Sequence, residues 1–557
     1  MILLSVLGVL IVLPVAVLAI GSFLSEPPRA LHIDLSGLTL ANYRAVLGSG
    51  VLWRLLGVTA ALAAIGTAGA VVIGAVLAWL AVRSDVPGRR VLEAVAIMPM
   101  FVPPLVGAFA WDILASPKSG IINIVLRAIG APGVNAYSFG GIGFVFAIYY
   151  CPYVVLFVGA ALRNVDASLE EAACMSGAGR LRVLLGVTLP LVAPALLSAA
   201  LLVFVLLIEL FSIPAVLAEP GNIHVLAVRI WELVGFSPPK VNEAAALGVL
   251  LLLVTVVLVL LQHFVLSGRS YVTLGGKGRR TEPVQLGVWR WPLALLGFTY
   301  LAIAVVLPFA ALLVIACRKN LFFSNLRALS NPKQYSLAQF DTAFSDPVVR
   351  AALENSLLVA LGAMAIGAVL YFAVAYAVHR TELRGRRVLD LVSIMPLAIP
   401  GLIIGLGYLW SWITLPVGLY GTLWIIILAY VSQFSPQGVR AIAGALVQIH
   451  PELEESSRLC GAGLIGTLLR IVLPLAWPGV LSAMVLLLVL SFREFATALF
   501  LYTSGTQVFS LAMFDFWERG STSMVAVMAL IQAAILLVIV TAGQVLTGRN
   551  RGSWIRS

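Results

Sequence analysis

The sequence predicts an all-α polytopic membrane protein of about twelve transmembrane helices, arranged as two pseudo-symmetric halves of six. Three observations predict it. Hydrophobic residues make up 61% of the chain and charged residues 11%, whereas a soluble domain is nearer half apolar and a quarter charged. Twelve apolar stretches are long enough, or nearly so, to cross a ~30 Å hydrocarbon core as helices. The chain also repeats itself: EAACMSGAGRLRVLLGVTLP at 171–190 and ESSRLCGAGLIGTLLRIVLP at 455–474 follow one pattern at a constant offset of 284.

Taken in order, the stretches lie near 2–24, 53–82, 92–115, 139–162, 187–216, 243–266, 293–316, 353–378, 388–412, 419–440, 472–502 and 522–547. The first could be mistaken for a signal peptide, but it lacks a charged start and its apolar run exceeds a typical h-region. Its echo near 293–316, where Pro308 resembles Pro14, argues for a retained helix, and the missing basic start leaves room for residues before Met1. The third and ninth stretches share a second motif, GRRVLEAVAIMPMFVP at 88–103 and GRRVLDLVSIMPLAIP at 385–400, at an offset of 297. Pro99, Pro103 and Pro104 in one, and Pro396 and Pro400 in the other, break or kink these spans. Matched interrupted helices point to a transport path; for any single proline, a kink filled by its neighbours is the plainer reading. Leu40-Ala41-Asn42-Tyr43 matches Leu337-Ala338-Gln339-Phe340 at the same 297.

These offsets divide the chain into a first repeat, 1–266, a linker, 267–290, and a second repeat, 291–557, with 13 extra residues in the first. Duplication of a hydrophobic chain is the signature of a pseudo-symmetric transporter. The longest loop, about 318–352, leaves no room for a soluble domain of ordinary size.

A net charge of +11 would suggest nucleic acid in a soluble protein; here topology explains it and no nucleic-acid partner is expected. Alternate loops hold 21 of the 35 Lys and Arg residues, among them Arg83, Arg89, Arg163, Arg380, Arg387 and Arg470. By the positive-inside rule these loops, the linker and both termini are cytoplasmic. No GxxxxGK[ST] loop occurs, since GGKGRRT at 275–281 has the wrong spacing, so ATP has no P-loop in this chain. The four cysteines form no CxxC or Cys/His cluster, and His32, His224, His263, His379 and His450 are scattered, so no bound metal or cofactor is expected.

Both repeated acidic segments fall on the cytoplasmic side. In the first, 166–190, Asp166 or Ser168 can cap a helix carrying Glu170 and Glu171 in its first turns. Ala172 and Ala173 give it a small-residue face that another surface can approach closely. Gly177 and Gly179 break it, and Pro190 opens or kinks the next span. The second, 450–474, repeats this with Pro451, Glu454, Glu455, Ser456, Ser457, Gly461, Gly463 and Pro474. A single such segment could be an interfacial helix without a partner; two in register argue for a docking function.

These segments resemble the EAA loops of permease subunits of bacterial ABC importers, whose pattern is EAA, three residues, Gly, nine residues, I-x-LP. The first copy departs at Val187, and the second replaces both alanines with Ser456 and Ser457 but keeps Ile471. The resemblance spans nearly the whole chain. It implies coupling helices, with Glu171, Ala172, Ala173 and Gly177 in one copy and Glu455, Ser456, Ser457 and Gly461 in the other, docking on separate ATPase subunits. A fused pair of this length resembles the iron(III)-type branch, whose relatives include fused thiamine permeases and some phosphonate or polyamine permeases. REFATALFLYTSGTQVFSLAMFDFWER at 493–519 and ELFSIPAVLAEPGNIHVLAVRIWELV at 209–234 look like that branch's segment after the EAA loop.

A charge at mid-bilayer costs about 2.5–3.5 kcal/mol on insertion scales and calls for a reason. Glu209, Arg493 and Glu494 sit in apolar runs, and Glu209 aligns with Arg493 at the 284 offset. They form either a polar path or gate, loosened by Ser212, Pro214 and Thr497, or a structural Glu209–Arg493 ion pair. In the outer loops Tyr137, Tyr335 and Trp231 could touch a partner or anchor in the interface.

The reading is a fused permease, present once per complex in the bilayer. Two copies of a cytoplasmic ATPase, which bind ATP and magnesium themselves, dock at 166–186 and 450–470, and a periplasmic binding protein delivers substrate to the outer loops. A twelve-helix secondary transporter is the rival of a different class.

Overall fold

The computed structural model describes residues 1–32, 34–48, 50–267, 283–319 and 331–548. Most of the linker, with Arg269, Lys277, Arg279 and Arg280, lies outside the described residues, as do Arg549, Arg551 and Arg556. Among the described residues the chain is helical, and β-structure is limited to isolated bridges.

Among the described residues nine helices are long and apolar enough to span a membrane: Ile2–Gly21, Val51–Arg83, Phe139–Asn164, Leu184–Glu209, Val241–Gln262, Gly287–Ala316, Pro347–Arg380, Leu464–Arg493 and Thr522–Leu546. Two more are bent pairs, Arg89–Phe101 with Pro104–Ala115 at 95° and Arg386–Ala398 with Gly401–Thr414 at 112°. The tenth expected span, 419–440, is a short helix, Leu423–Gln433, continued after Phe434 by Ser435–Val447. The expected count of about twelve helices therefore becomes nine long helices, two bent pairs and this shorter helix among the described residues. The bends fall at the matched prolines. Pro103 and Pro400 hold extended ψ angles of 132° and 137° as N-caps, which ends one helix and begins another.

A second proline device occurs four times. Each Leu-Pro at 13–14, 189–190, 307–308 and 473–474 is preceded by one wide π-turn, and the leucine N–H reaches back five residues, to Gly8, Leu184, Ala302 and Leu468 respectively. Proline has no N–H, so the carbonyl four residues back loses its partner, and a π-turn accommodates the gap without ending the helix. Pro190 and Pro474 thus lie within continuous helices.

The chain divides into two compact units. One contains 1–49, 233–252 and 340–557; the other contains 50–232 and 253–339. The units cross the sequence repeats, because the first helix of each repeat belongs to the unit built on the other repeat. Local packing explains each exchange. In the first unit, Tyr408 donates to the Leu10 carbonyl (2.7 Å), the group orphaned by Pro14. Gly407 lets the Pro14 carbonyl approach so closely that a Cβ there would lie 2.6 Å from it. In the second unit, Tyr300 donates to the Ile148 carbonyl (3.0 Å), orphaned by Pro152, and Gly297 seats against Leu92.

Candidate functional site

The two acidic segments adopt one geometry. Helices Ala167–Met175 and Glu452–Leu459 each run about two turns and end in the same cap. In the first, the Gly177 N–H donates to Cys174 O (2.9 Å) and the Ala178 N–H to Ala173 O (3.1 Å); in the second, Gly461 donates to Arg458 O (3.0 Å) and Ala462 to Ser457 O (3.1 Å). This is a Schellman closure, which needs a left-handed residue at its turn. Gly177 and Gly461 both sit at φ +83°. No side chain crowds either glycine, so backbone conformation, not close packing, demands them. Gly463 has φ −69° and starts the next short helix, so only the first glycine of each expected breaking pair does the breaking.

Asp166 caps the first helix by accepting from the Ser168 N–H (3.0 Å). That backbone bond, with the Ser168 hydroxyl, holds the Asp166 carboxyl below its ordinary value. The expected docking residues Glu171, Ala172, Gly177, Glu455, Ser456 and Gly461 are exposed, and Ala173 is half-buried. Ser457 is buried and bonds Thr467 (3.0 Å), so it serves the segment's internal packing rather than its outer face.

Sequence reasoning missed Arg83 and Arg380, which were counted as loop charges. Both are the last residues of spans, Val51–Arg83 and Pro347–Arg380; Arg83 is buried and Arg380 largely so, and they face Glu170 and Glu454 of the acidic helices. The available signal was their match at 297, beside the match of Glu170 with Glu454 at 284.

The intramembrane charges sit at helix breaks. Helix Leu189–Glu209 stops at Glu209, Leu210 turns extended, and Ser212–Leu217 follows. Helix Leu473–Arg493 stops at Arg493, Glu494 turns extended, and the short turn Thr497–Phe500 follows. Glu209 and Ser212 belong to one compact unit; Arg493, Glu494 and Thr497 belong to the other. Glu494 accepts from both the N–H and the hydroxyl of Thr497 (3.0 Å each), capping the turn that follows it. Its own carbonyl accepts from Ser510 (2.6 Å). The second arm of the bent pair packs here: a Cβ on Gly401 would lie 2.7 Å from the Thr497 hydroxyl, and one on Gly405 would strike the Thr497 carbonyl oxygen. The positive end of half-helix Gly401–Thr414 therefore starts beside the Glu494 carboxylate. In the other unit, Glu209 Oε1 is sealed from solvent without a hydrogen-bond partner, and Ser212 is buried.

Because the carbonyl facing Gly405 is backbone and cannot rotate away, Gly405→Ala is expected to lower stability by about 1–3 kcal/mol. Gly444 lies in helix Ser435–Val447 with open space around it, so Gly444→Ala is expected to be neutral or stabilising. Detergent-solubilised thermal melts of the two variants check this contrast.

The aromatics expected in the outer loops are engaged within their own units. Tyr137 donates to Asp112, Trp231 meets Phe211 edge-on at 6.0 Å, and Arg318 stacks 5.6 Å from the Tyr335 ring.

Two matched helix–turn–helix segments, each leading into a span, and two matched broken helices define a two-repeat membrane permease. Residues 70–270 and 370–551 match the family described as the binding-protein-dependent transport system inner membrane component, and the chain belongs to that family. It is accordingly a multi-pass inner-membrane transport component, which removes the secondary-transporter reading. The ferric transport system permease protein FbpB of Actinobacillus pleuropneumoniae is 26% identical over 94% of this chain and 76% of its own. A putative ferric transport system permease protein FbpB of Haemophilus influenzae is 27% identical over 75% of this chain and 65% of its own. The probable ABC transporter permease protein y4fN of Sinorhizobium fredii is 28% identical over 84% and 83%. Among solved structures, a bacterial ABC transporter involved in alginate import covers 46% of this chain and 94% of its own, with 20% identity and a TM-score of 0.39.

Proposed function

We propose that this chain is the permease of an ATP-driven importer of iron(III). The observation that carries the importer mechanism is the duplicated helix, left-handed glycine and Leu-Pro span, with the same backbone bonds closing the helix at the glycine in both copies. Each copy receives one ATPase subunit, giving two ATPases per permease chain. Glu171, Ala172, Ala173 and Gly177 form one docking site; Glu455, Ser456 and Gly461 form the other, with Ser457 bracing that segment from within through Thr467. ATP and magnesium belong to those partners, and both termini of this chain face the cytoplasm. Iron(III) is supported by relatives named as ferric permeases, one of which aligns with nearly the full chain.

A periplasmic binding protein presents the cargo to the outer loops, so affinity resides there and the permease only passes the ion. The repeats 1–266 and 291–557 supply the path, with Glu209, Ser212, Arg493, Glu494 and Thr497 at its helix breaks. Glu209→Ala is expected to cut transport severely while the ATPase complex still assembles; loss of assembly would instead assign Glu209 a structural role. The test of cargo is ATP-dependent uptake into proteoliposomes holding the permease, its ATPase and its binding protein. Radiolabelled iron(III) should accumulate; uptake of thiamine, a phosphonate or a polyamine in its place would overturn the iron reading.

A further inference from the structure

The pattern 170/454 and 83/380 places the same Arg–Glu pair twice, once at each coupling helix. Glu170 and Glu454 directly precede the docking glutamates, yet they point the other way. Arg83 is 2% exposed and Glu170 16%; Arg380 is 9% exposed and Glu454 7%. Arg83 Nη2 donates to the Val165 carbonyl (2.9 Å), at the C-terminal cap of helix Phe139–Asn164. Arg380 Nη2 donates to the carbonyls of Leu446 and Ile449, the latter the counterpart of Val165 at the 284 offset. A guanidinium suits this position because helix C-termini carry unsatisfied carbonyls and partial negative charge.

Each arginine then meets the acidic helix. Arg83 Nη1 lies 3.8 Å from Glu170 Oε2, and Arg380 Nη1 lies 3.8 Å from Glu454 Oε1. The glutamates are fixed from their other sides: Glu170 accepts from Thr188 (2.6 Å), within the π-turn that opens the next span, and Glu454 accepts from Tyr376 (2.8 Å). The arginine therefore ties together the end of its own span, the end of the preceding cytoplasmic helix segment, and the coupling helix.

The separation of 3.8 Å is an ionic contact outside hydrogen-bond range. Arg83 Nε and Nη1 and Glu454 Oε1 are sealed from solvent with no hydrogen-bond partner. Buried charged atoms left this way are costly, and a shift of about 1 Å would convert the contact into a charge-assisted hydrogen bond. Two copies with the same separation make a matched, part-closed arrangement.

We infer that Arg83 and Arg380 are positioning residues: each forms a latch with Glu170 or Glu454 that carries displacement of the coupling helix into spans Val51–Arg83 and Pro347–Arg380. The latch rests on the reading that these helices dock the ATPase. It places the mechanical link one residue before the docking glutamate, on the inward face of the same helix.

The test uses the assembled permease–ATPase–binding-protein complex and reads two quantities separately: recovery of ATPase with the permease, and substrate transported per ATP hydrolysed. R83Q and E170Q are each expected to retain ATPase and to lower transport per ATP by about tenfold. The R83Q/E170Q pair is expected to be no worse than either single variant, since both remove one latch. The exchanged pair R83E/E170R is expected to recover part of the loss. R380Q and E454Q should repeat the pattern in the second copy. If the arginine variants fail to fold, E170Q and E454Q, which keep side-chain shape, decide the question. Unchanged transport per ATP in those two, or losses that multiply in the R83Q/E170Q pair, would overturn the latch. Failure of the docking reading looks different: the unaltered chain would then recover no ATPase.

Discussion

A chain carrying both Glu171→Lys and Glu455→Lys is expected to reach the membrane intact and to lose its ATPase. Both carboxylates are exposed on their helices, while the adjacent Glu170 and Glu454 turn inward to Arg83 and Arg380. Reversing Glu171 and Glu455 therefore leaves the internal packing of each segment untouched and alters only its outward charge. Removing one member of a buried interfacial charge pair costs about 2–5 kcal/mol, and reversal adds repulsion. Two sites altered together should take the complex below the level at which it survives purification. Each single reversal should weaken recovery through one site only. Undiminished recovery of ATPase with the double variant would refute the docking assignment.

Gly461→Val and Gly177→Val are expected to uncouple ATP hydrolysis from transport. Both glycines hold φ +83° with open space around them. A β-branched side chain there meets no neighbour, but the left-handed conformation costs any L-residue about 1–2 kcal/mol and a β-branched one more. The Schellman closure should open, and the coupling helix should lose its fixed direction relative to the span that follows. Asparagine tolerates the left-handed region, so Gly461→Asn should keep most of the coupling that Gly461→Val loses. Gly463→Ala, at φ −69° with open space, should be silent. Equal losses in the asparagine and valine variants would show that bulk at the docking surface, rather than backbone conformation, sets the requirement.

The duplicated segments were legible because their geometry is local. A capping Asp166, small residues, a glycine and a Leu-Pro at fixed spacing dictate helix, turn and span over some twenty residues, and both copies agree. The bent spans were legible for the same reason, through Pro99, Pro103 and Pro104 and through Pro396 and Pro400. What escaped depends on partners distant in sequence. Arg83 looks like a loop charge until Val165 and Glu170 close over it. The exchange of first helices between compact units rests on Tyr408 reaching Leu10 and Tyr300 reaching Ile148, pairings that no periodicity announces. The spans near 187–216 and 472–502 read as unbroken apolar runs, yet they stop at Glu209 and Arg493. The charges flagged the place, but the extended backbone at Leu210 and Glu494, and the close approach of Gly401 and Gly405 to Thr497 in the second repeat, involve neighbours that the local sequence does not name.

The central claim is that this permease works only with an ATPase docked on its two coupling segments and a binding protein at its outer face. The most direct measurement is a gentle pull-down of the tagged chain from its native membrane, with mass spectrometry of what accompanies it. The account predicts one cytoplasmic ATPase and one periplasmic binding protein, with the ATPase at two copies per permease. A chain that purifies alone, with no ATP-dependent activity, would contradict it.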